Sequence, residues 1–151
     1  MTGARRLFFR FFPKNTSKNA GLCSIVYMRI FKNLWFTRFA DKEGITDDEL
    51  RKLVDQLEAG QPDADLGGDV YKMRLSRPDG GKRGGYRVIV FFRSEERTFY
   101  EYCFSKSKMA NISQKLLKYY KRIAKEYLSM TPDQIREWIK QGRFVELKEM
   151  L

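Results

Sequence analysis

The sequence predicts an α+β domain in which a small antiparallel sheet, a three-strand meander plus an N-terminal strand, packs against an N-terminal helix pair and a C-terminal helix. Three observations predict this class. Residues 46–60 and 131–142 each begin with a helix-capping sequence and end at a glycine. From residue 69, the apolar residues change from a helical period to a period of two. The links between the following β-rich runs are short, which favours antiparallel pairing.

The N-terminal half supplies one strand and two helices. Residues 28–32 are predicted to form a short strand, and residues 34–39 the beginning of a helix. Thr46 is predicted to cap a second helix, because Glu49 stands three positions later and completes a capping box. The apolar side chains of this helix lie along one face, at Leu50, Leu53, Val54 and Leu57. We expect the two helices to form an antiparallel pair.

The meander is predicted from three β-rich runs at residues 70–75, 86–93 and 97–104. In the first run, Met73 and Leu75 point to one face, while Lys72 and Arg74 point to the other. We expect Met73, Phe91 and Phe99 to be core residues. With the helices packed on one face of the sheet, the other face can carry Lys72 and Arg74 in the open.

Two helices are predicted after the meander. A long amphipathic helix begins near Asn111 or Ser113. Thr131 caps a last helix, in which Gln134 is the capping-box partner, and Gly142 ends it.

The chain of 151 residues contains no histidine. This excludes Ser-His-Asp and Cys-His catalysis and histidine-ligated zinc. The two cysteines, Cys23 and Cys103, form no Cys-x-x-Cys motif, so we expect no disulfide framework, no metal site and a cytoplasmic location. The longest core-like apolar run, residues 88–92, is far too short to span a membrane.

The net charge of +11 is unevenly distributed. Residues 41–71 carry 3 basic and 10 acidic side chains, whereas residues 72–125 carry 15 basic and 4 acidic ones. A local excess of this size indicates a polyanionic partner such as a nucleic acid or the ribosome. The alternative is an ordinary solvated basic surface.

The glycine-rich segment 79–85 fits neither the Walker phosphate loop nor the dinucleotide-binding fingerprint, because the spacing of its glycines is wrong for both. It is predicted to be a loop that holds Lys82 and Arg83 beside a phosphate backbone. A hairpin loop with incidental charge is the alternative.

Basic and aromatic side chains are predicted to converge on the meander. If the strands pair in chain order, four cations come together at Lys72, Arg74, Arg87 and Lys106. The candidate RNA-binding aromatic residues beside them are Tyr86, Tyr102 and Phe104. Because cations clamp phosphates and aromatic rings stack on bases, this combination favours single-stranded RNA over a merely solvated sheet face.

RNA can be cut at such a site without histidine, because the substrate supplies its own nucleophile, the 2′-hydroxyl. The protein must accept the proton of that hydroxyl, stabilise the phosphate and protonate the leaving 5′-oxygen. A lysine among other cations can act as the base, since like charges lower its pKa.

Several linked motifs resemble the HigB-like branch of the RelE toxin superfamily from about Met28 to the C-terminus. They are Asp65-Leu66-Gly67-Gly68, Tyr71-Lys72-x-Arg74, Arg77-Pro78, Gly81-Lys82-x-Gly84-Gly85-Tyr86-Arg87, Phe104-x-Lys106 and Asn111-Ile112-Ser113. The resemblance implies a RelE-like fold and a type II toxin that acts as a metal-independent endoribonuclease. Such toxins enter the ribosomal A site and cut mRNA there. No cofactor is implied. The implied partners are the ribosome, mRNA and a cognate antitoxin with a helix-turn-helix domain.

The resemblance also implies roles for individual residues. Lys72 is assigned as general base, Arg87 as the group that stabilises the phosphate, and Lys106 as leaving-group acid or phosphate clamp. Well-studied RelE toxins use a tyrosine near the C-terminus, which residues 144–147 lack, and Tyr86 or Tyr102 can take its place.

The resemblance divides the chain into residues 1–27 and a toxin domain at residues 28–151. We expect residues 1–27 to be an extension, disordered or translated from a misassigned start codon; an organelle transit peptide is a less favoured interpretation. Two alternative functions stay open. One is a ParE-type toxin that inhibits gyrase without catalysis, and the other is a basic RNA-binding module.

Overall fold

The computed structural model describes residues 28–77, 85–105 and 112–148. Within these ranges the polypeptide forms six strands and four helices. In chain order they are β1 (Arg29–Asn33), α1 (Leu34–Glu43), α2 (Asp47–Glu58), β2 (Ala64–Gly67), β3 (Val70–Leu75), β4 (Tyr86–Arg93), β5 (Arg97–Ser105), α3 (Gln114–Leu128), α4 (Pro132–Lys140) and β6 (Phe144–Glu146). The expectations for residues 1–27 and for Lys82, Arg83 and Lys106 lie outside the described residues.

The six strands form one sheet in the order β2-β3-β4-β5-β1-β6. Strand β1 pairs in parallel with β5 and antiparallel with β6, and the remaining pairs are antiparallel. The predicted α+β class, the N-terminal strand and the β3-β4-β5 meander are confirmed. Strands β2 and β6 were not predicted, because runs of four and three residues are too short to show a period of two.

The helix boundaries follow the capping residues. Thr46 and Thr131 each form a complete capping box, with Glu49 and Gln134 respectively, as the sequence predicts. Ser113 caps α3, so the later of the two predicted beginnings is confirmed. Asn33 caps α1 by accepting a hydrogen bond from the backbone N–H of the third helical residue at 2.7 Å.

The helices cover both faces of the sheet, and the prediction that they lie on one face is wrong. Helices α1 and α2 pack on what we call the α1/α2 face, against Met73, Val88 and Tyr100 among others. Helices α3 and α4 pack on the opposite α3/α4 face, against residues that include Phe31 and Phe99. The physical reason is visible in β4, where every residue from 88 to 92 is buried, as in a strand that is covered on both sides.

The α3/α4 face is covered unevenly along β4. Phe91 packs under α3, with ring centroids 6.3 Å from Tyr120 and 5.8 Å from Tyr127. Arg87 lies four residues earlier on the same strand and on the same face, and it is only half-buried. The beginning of β4 is therefore the part of this face where charged side chains reach solvent.

Candidate nucleic-acid interface

Cross-strand register brings the predicted cations of β3 and β4 together on the α3/α4 face. Arg74 pairs with Arg87, and Arg87 pairs with Phe104 on β5. In the next row on this face, Lys72 and Tyr102 flank the same residue of β4. Directly opposite residues in antiparallel strands have Cα atoms about 4.5–5.5 Å apart. The two rows therefore form one continuous surface across three strands.

The three cations of this surface are accessible to solvent. Arg74 is exposed, and Lys72 and Arg87 are half-buried. Within the described residues, none of the three forms an ion pair with a carboxylate. Like charges directly opposite one another destabilise a sheet. A bound anion would therefore reduce the electrostatic repulsion between Arg74 and Arg87.

An aromatic stack closes one side of this surface. The ring of Tyr102 stacks on that of Trp35 at a centroid distance of 4.3 Å, and Trp35 stacks on Phe39 at 5.1 Å. Trp35 is 41% exposed although it belongs to α1. Sequence reasoning placed Trp35 only within the predicted helix at residues 34–39 and missed this contact with β5. Because Trp35 stacks with a ring of β5 and with a ring of α1, its exposed part lies at the edge of the stack.

The structure separates Tyr86 from the other predicted RNA-binding residues, which corrects the predicted grouping. Tyr86 precedes Arg87, so alternation places it on the opposite, α1/α2 face, where it is 5% exposed. Its hydroxyl donates a hydrogen bond to the Glu43 carboxylate. Burial, together with this bond to Glu43, raises the pKa of Tyr86 to about 12. Tyr86 therefore supports the core and the end of α1.

Phe104 lies on the predicted face but is not available for stacking. Its side chain is 7% exposed and packs in the core beneath α3. Its ring centroid is 6.3 Å from that of Tyr102. Phe104 therefore supports Tyr102 from within the core.

A β-bulge in β5 brings a carboxyl group to the same face. Ile89 pairs with Tyr102 and Val90 with Tyr100, so Glu101 is the extra residue of the bulge. The bulge interrupts the alternation, and Glu101 and Tyr102 both point towards α3. The position of Glu101 agrees with its electrostatic influence on Tyr120, whose pKa it raises in addition to the larger effect of burial.

Glu101 is held by a neighbouring strand and has an unusual pKa. The Asn33 side-chain amide donates hydrogen bonds to the Glu101 carboxylate at 3.0 Å and to its backbone carbonyl at 2.8 Å. Burial raises the pKa of Glu101 to about 7, against the opposing effect of the Asn33 hydrogen bond. A carboxyl group that titrates near neutrality can exchange protons as a histidine would. Sequence reasoning missed Glu101 because nothing in the β-rich run marks the bulge.

The remaining predicted site residues lie outside the described residues. They are Lys82 and Arg83 of the glycine-rich segment and Lys106 after β5. In the described strands, the row next to Arg74 and Arg87 pairs Leu75 with Tyr86 and Tyr86 with Ser105. The described ends of β3 and β5 and the beginning of β4 therefore lie at the same end of the meander as the Arg74–Arg87 pair.

Metal binding and thiol catalysis have few candidate residues in the described part of the chain. There, no three histidine, cysteine, aspartate or glutamate side chains are grouped so that they could hold a metal ion. Cys103 is buried, and burial raises the pKa of its thiol to about 12, which disfavours the nucleophilic thiolate. In the same described ranges, no helix is both long enough and apolar enough to cross a membrane.

The family model described as "RelE toxin of RelE / RelB toxin-antitoxin system" matches residues 28–147. The chain belongs to the RelE toxin family. The match spans all ten helices and strands of the described fold together with the surface of Lys72, Arg74 and Arg87. The predicted RelE resemblance is thereby confirmed, and this RelE protein is the toxin component of a toxin–antitoxin system that pairs with an antitoxin. A comparison with curated protein sequences gave no significant match.

Proposed function

We propose that this toxin is a ribosome-dependent endoribonuclease that cuts mRNA in the ribosomal A site and thereby inhibits translation. The observation that carries the proposal is the Arg74–Arg87 pair, two cations directly opposite each other on the sheet without a carboxylate partner in the described residues. The stacked rings of Tyr102 and Trp35 beside this pair support a single RNA strand as the ligand. Such a reaction belongs to the cytoplasm, where mRNA is translated.

The proposed reaction is an intramolecular transfer at phosphorus. The 2′-oxygen attacks the adjacent phosphate, the bond to the 5′-oxygen breaks, and a 2′,3′-cyclic phosphate remains on the upstream fragment. The proton of the 2′-hydroxyl passes to a base on the protein, and an acid supplies a proton to the leaving 5′-oxygen. Atoms and charge therefore balance without a metal ion or cofactor.

The site residues divide these tasks among themselves. Arg74 and Arg87 stabilise the negative charge that grows on the phosphate oxygens. Lys72 is our first candidate for the base, and Glu101 is the second because its pKa of about 7 is matched to neutral conditions. Lys106 remains our candidate for the leaving-group acid or phosphate clamp. Lys82 and Arg83 are proposed to contact the phosphate backbone nearby.

The test is to map mRNA 5′ ends after brief induction of the wild-type toxin and of Arg87→Ala and Lys72→Ala. We expect the wild type to produce cuts within codons that depend on translation. Each variant should lose cleavage by roughly 10²-fold or more, because charge stabilisation or proton transfer is removed. Both residues have solvent-accessible side chains, so circular dichroism should show intact folds. Arg136→Ala is the matched control, since Arg136 is exposed on α4 and pairs with Asp133.

The same experiment separates the alternatives. Intact mRNA with stalled replication would support a ParE-type gyrase inhibitor. Toxicity without either effect would support a non-catalytic RNA-binding module. A folded Arg87→Ala variant with wild-type cleavage would remove Arg87 from the site.

The antitoxin partner is proposed to carry a helix-turn-helix DNA-binding domain. Where a small gene beside that of the toxin encodes such a domain, its co-expression should restore growth and yield a complex that co-purifies. Failure of such a protein to bind the toxin would contradict this part of the proposal.

A further inference from the structure

One side chain links the first turn of α1 to the bulge of β5. The carboxamide oxygen of Asn33 accepts a hydrogen bond from the backbone N–H of Phe36 at 2.7 Å. Its amide nitrogen donates two hydrogen bonds to Glu101, one to the backbone carbonyl oxygen at 2.8 Å and one to the carboxylate at 3.0 Å. A carboxamide has two N–H donors, so Asn33 uses both of them on a single residue.

The bulge determines which face of the sheet Tyr102 occupies. Phe99 lies in the core on the α3/α4 face, and Tyr100 lies in the core on the α1/α2 face. Strict alternation would then place residue 102 on the α1/α2 face, away from the cations. Because Glu101 is an extra residue, Tyr102 packs on the α3/α4 face instead. It thereby joins the row that contains Lys72.

Asn33 stabilises this bulge by supplying a hydrogen-bond donor that the neighbouring strand of the meander does not provide. A bulge disrupts the hydrogen-bond ladder at its extra residue, and a backbone carbonyl that loses its partner costs free energy. The Asn33 amide donates to that carbonyl oxygen of Glu101. The register of β1 and β5 explains why Asn33 can reach it. Lys32 pairs with Tyr100, so the next residue of β1 stands at the level of the bulge.

The same residue also fixes the ring against which Tyr102 stacks. Asn33 is the N-cap of α1, and Trp35 is the second residue of that helix. The backbone carbonyl of Asn33 accepts a further hydrogen bond from the Thr37 hydroxyl at 2.9 Å, within the same first turns. The ring centroids of Trp35 and Tyr102 are 4.3 Å apart. Asn33 therefore holds both the strand segment that carries Tyr102 and the helix turn that carries Trp35.

We infer that Asn33 is a positioning residue for RNA binding: it joins the β5 bulge to the first turn of α1 and thereby sets Tyr102 beside the cations of β3 and β4. The inference rests on the proposed function, in which Tyr102 contacts the RNA strand. Both amide donors of Asn33 are occupied within the protein, so its effect on RNA is transmitted through Tyr102. Aspartate and serine cap helices equally well but lack a two-donor amide, so the bulge, and not the helix, calls for asparagine here.

The test separates the link to the bulge from the helix cap. Asn33→Ser and Asn33→Asp both keep an oxygen that can cap α1, and neither has the two amide donors. Thr46→Ala is the control, because it removes the capping oxygen of α2 and leaves Asn33 unchanged. Two quantities are measured per folded molecule. The first is the affinity for a single-stranded RNA oligonucleotide. The second is acrylamide quenching of Trp35 fluorescence in a Trp138→Phe background, where Trp35 is the one tryptophan left of the two in the sequence.

We expect both Asn33 variants to lose roughly 10-fold in affinity for the oligonucleotide, the size of effect that one aromatic contact with a base provides. Quenching of Trp35 should increase in both, because its stacking on Tyr102 loosens. Thr46→Ala should change neither quantity. A double-mutant cycle then tests the route of the effect. In a Tyr102→Leu background, which has already lost the ring, Asn33→Ser should cause no further loss of affinity.

The remaining outcomes are decisive in either direction. Wild-type affinity in a folded Asn33 variant would overturn the inference, and Asn33→Asp, which matches asparagine in size, decides the case if Asn33→Ser does not fold. A loss that is equally large in Thr46→Ala, or that persists in full in the Tyr102→Leu background, would overturn it in favour of a general effect on stability. If RNA affinity responds to Asn33 and Tyr102 as expected yet the wild type cuts no mRNA, the positioning inference stands and the proposed nuclease function fails.

Discussion

Glu101 shows how one additional residue in a strand changes the chemistry of a surface. It is the extra residue of the β5 bulge, so its carboxyl group points to the same face as Tyr102. Three groups from two neighbouring elements face it: Asn33 from β1, and Tyr120 and Tyr127 from α3. The Asn33 hydrogen bond favours the ionised form, but the larger effect of burial raises the pKa to about 7.

This pKa predicts how Glu101→Gln changes stability with pH. The unfolded carboxyl group ionises near the ordinary value of 4.5, whereas the folded one stays protonated up to about 7. Ionisation therefore favours unfolding as the pH rises from about 4.5 to about 7, and the wild type loses stability over that range. Glutamine carries no such cost and can still accept the Asn33 hydrogen bond. We expect Glu101→Gln to raise the free energy of unfolding by about 1–3 kcal/mol at pH 8 and by less at pH 5.

Urea denaturation at the two pH values measures this difference. Glu126→Gln is a suitable control, because Glu126 is exposed on α3 and its substitution should change stability little at either pH. A gain for Glu101→Gln that is equal at pH 5 and pH 8 would contradict the expected ionisation cost.

Sequence reasoning placed single residues well where local alternation applies. The period of two in β3 put Lys72 and Arg74 on one face, and the register of β4 brings Arg87 beside them. The same alternation excludes Tyr86, which the prediction placed beside the converging cations although it is adjacent to Arg87 on one strand. Glu101 and Trp35 could not be predicted, because a bulge and a stack between α1 and β5 arise from pairing of distant segments.

At the scale of elements, the beginning of β4 controls how the two arginine-bearing strands meet. A Cβ atom added to Gly85 would lie 2.7 Å from the backbone carbonyl oxygen of Leu75 on β3. This distance is too short for a carbon and an oxygen atom, and a backbone carbonyl cannot rotate away as a side chain can. Gly85 therefore allows the two strands to approach next to the Arg74–Arg87 pair.

Gly85→Ala should consequently separate the ends of β3 and β4. We expect a loss of about 1–3 kcal/mol in the free energy of unfolding. We also expect a loss of RNA cleavage per folded molecule, because Arg74 and Arg87 move apart. Gly142→Ala provides the comparison: its Cβ would meet no atom within 4 Å, but its φ of 78° strains an alanine. That variant should lose stability by about 1–2 kcal/mol and keep its cleavage activity per folded molecule. Thermal unfolding and cleavage assays measure both effects, and full activity of Gly85→Ala would contradict the expected displacement.

The elements themselves were predictable to the extent that their signals are local. Capping boxes at Thr46 and Thr131 identified the beginnings of α2 and α4 correctly. The parallel pairing of β1 with β5 involves residues 68 positions apart, from Arg29 to Arg97, and no local signal specifies it. The short strand β6 depends in the same way on β1 for its hydrogen bonds.

At the scale of the whole molecule, the sheet divides the interior into two cores. Leu53 of α2 belongs to the core on the α1/α2 face, and Ile135 of α4 belongs to the core on the α3/α4 face. Because the six strands belong to one hydrogen-bonded sheet, we expect both cores to unfold in one cooperative transition. The prediction of helices on one face alone would have left one of these cores exposed.

Leu53→Ala and Ile135→Ala test whether the two cores unfold in one transition. Each substitution removes buried methyl groups and leaves a cavity, so each should lower the free energy of unfolding by roughly 2–5 kcal/mol. Urea unfolding followed by tyrosine or tryptophan fluorescence and by circular dichroism should show one shared midpoint, with an unchanged m-value. Two separated transitions in either variant would show that the cores unfold independently.

The place of β1 between β5 and β6 has a consequence for biosynthesis. Strand β1 is the first described strand to leave the ribosome, yet its two neighbours in the sheet are translated much later, at residues 97–105 and 144–146. A nascent chain thus cannot complete this sheet by folding from its N-terminus as it emerges, because the partners of β1 do not yet exist. The Arg29–Glu146 ion pair at 2.8 Å, which links β1 to β6, forms only when nearly the entire described fold has been synthesised. The sheet of the toxin can therefore be completed only after the codons of β6, its last described strand, have been translated.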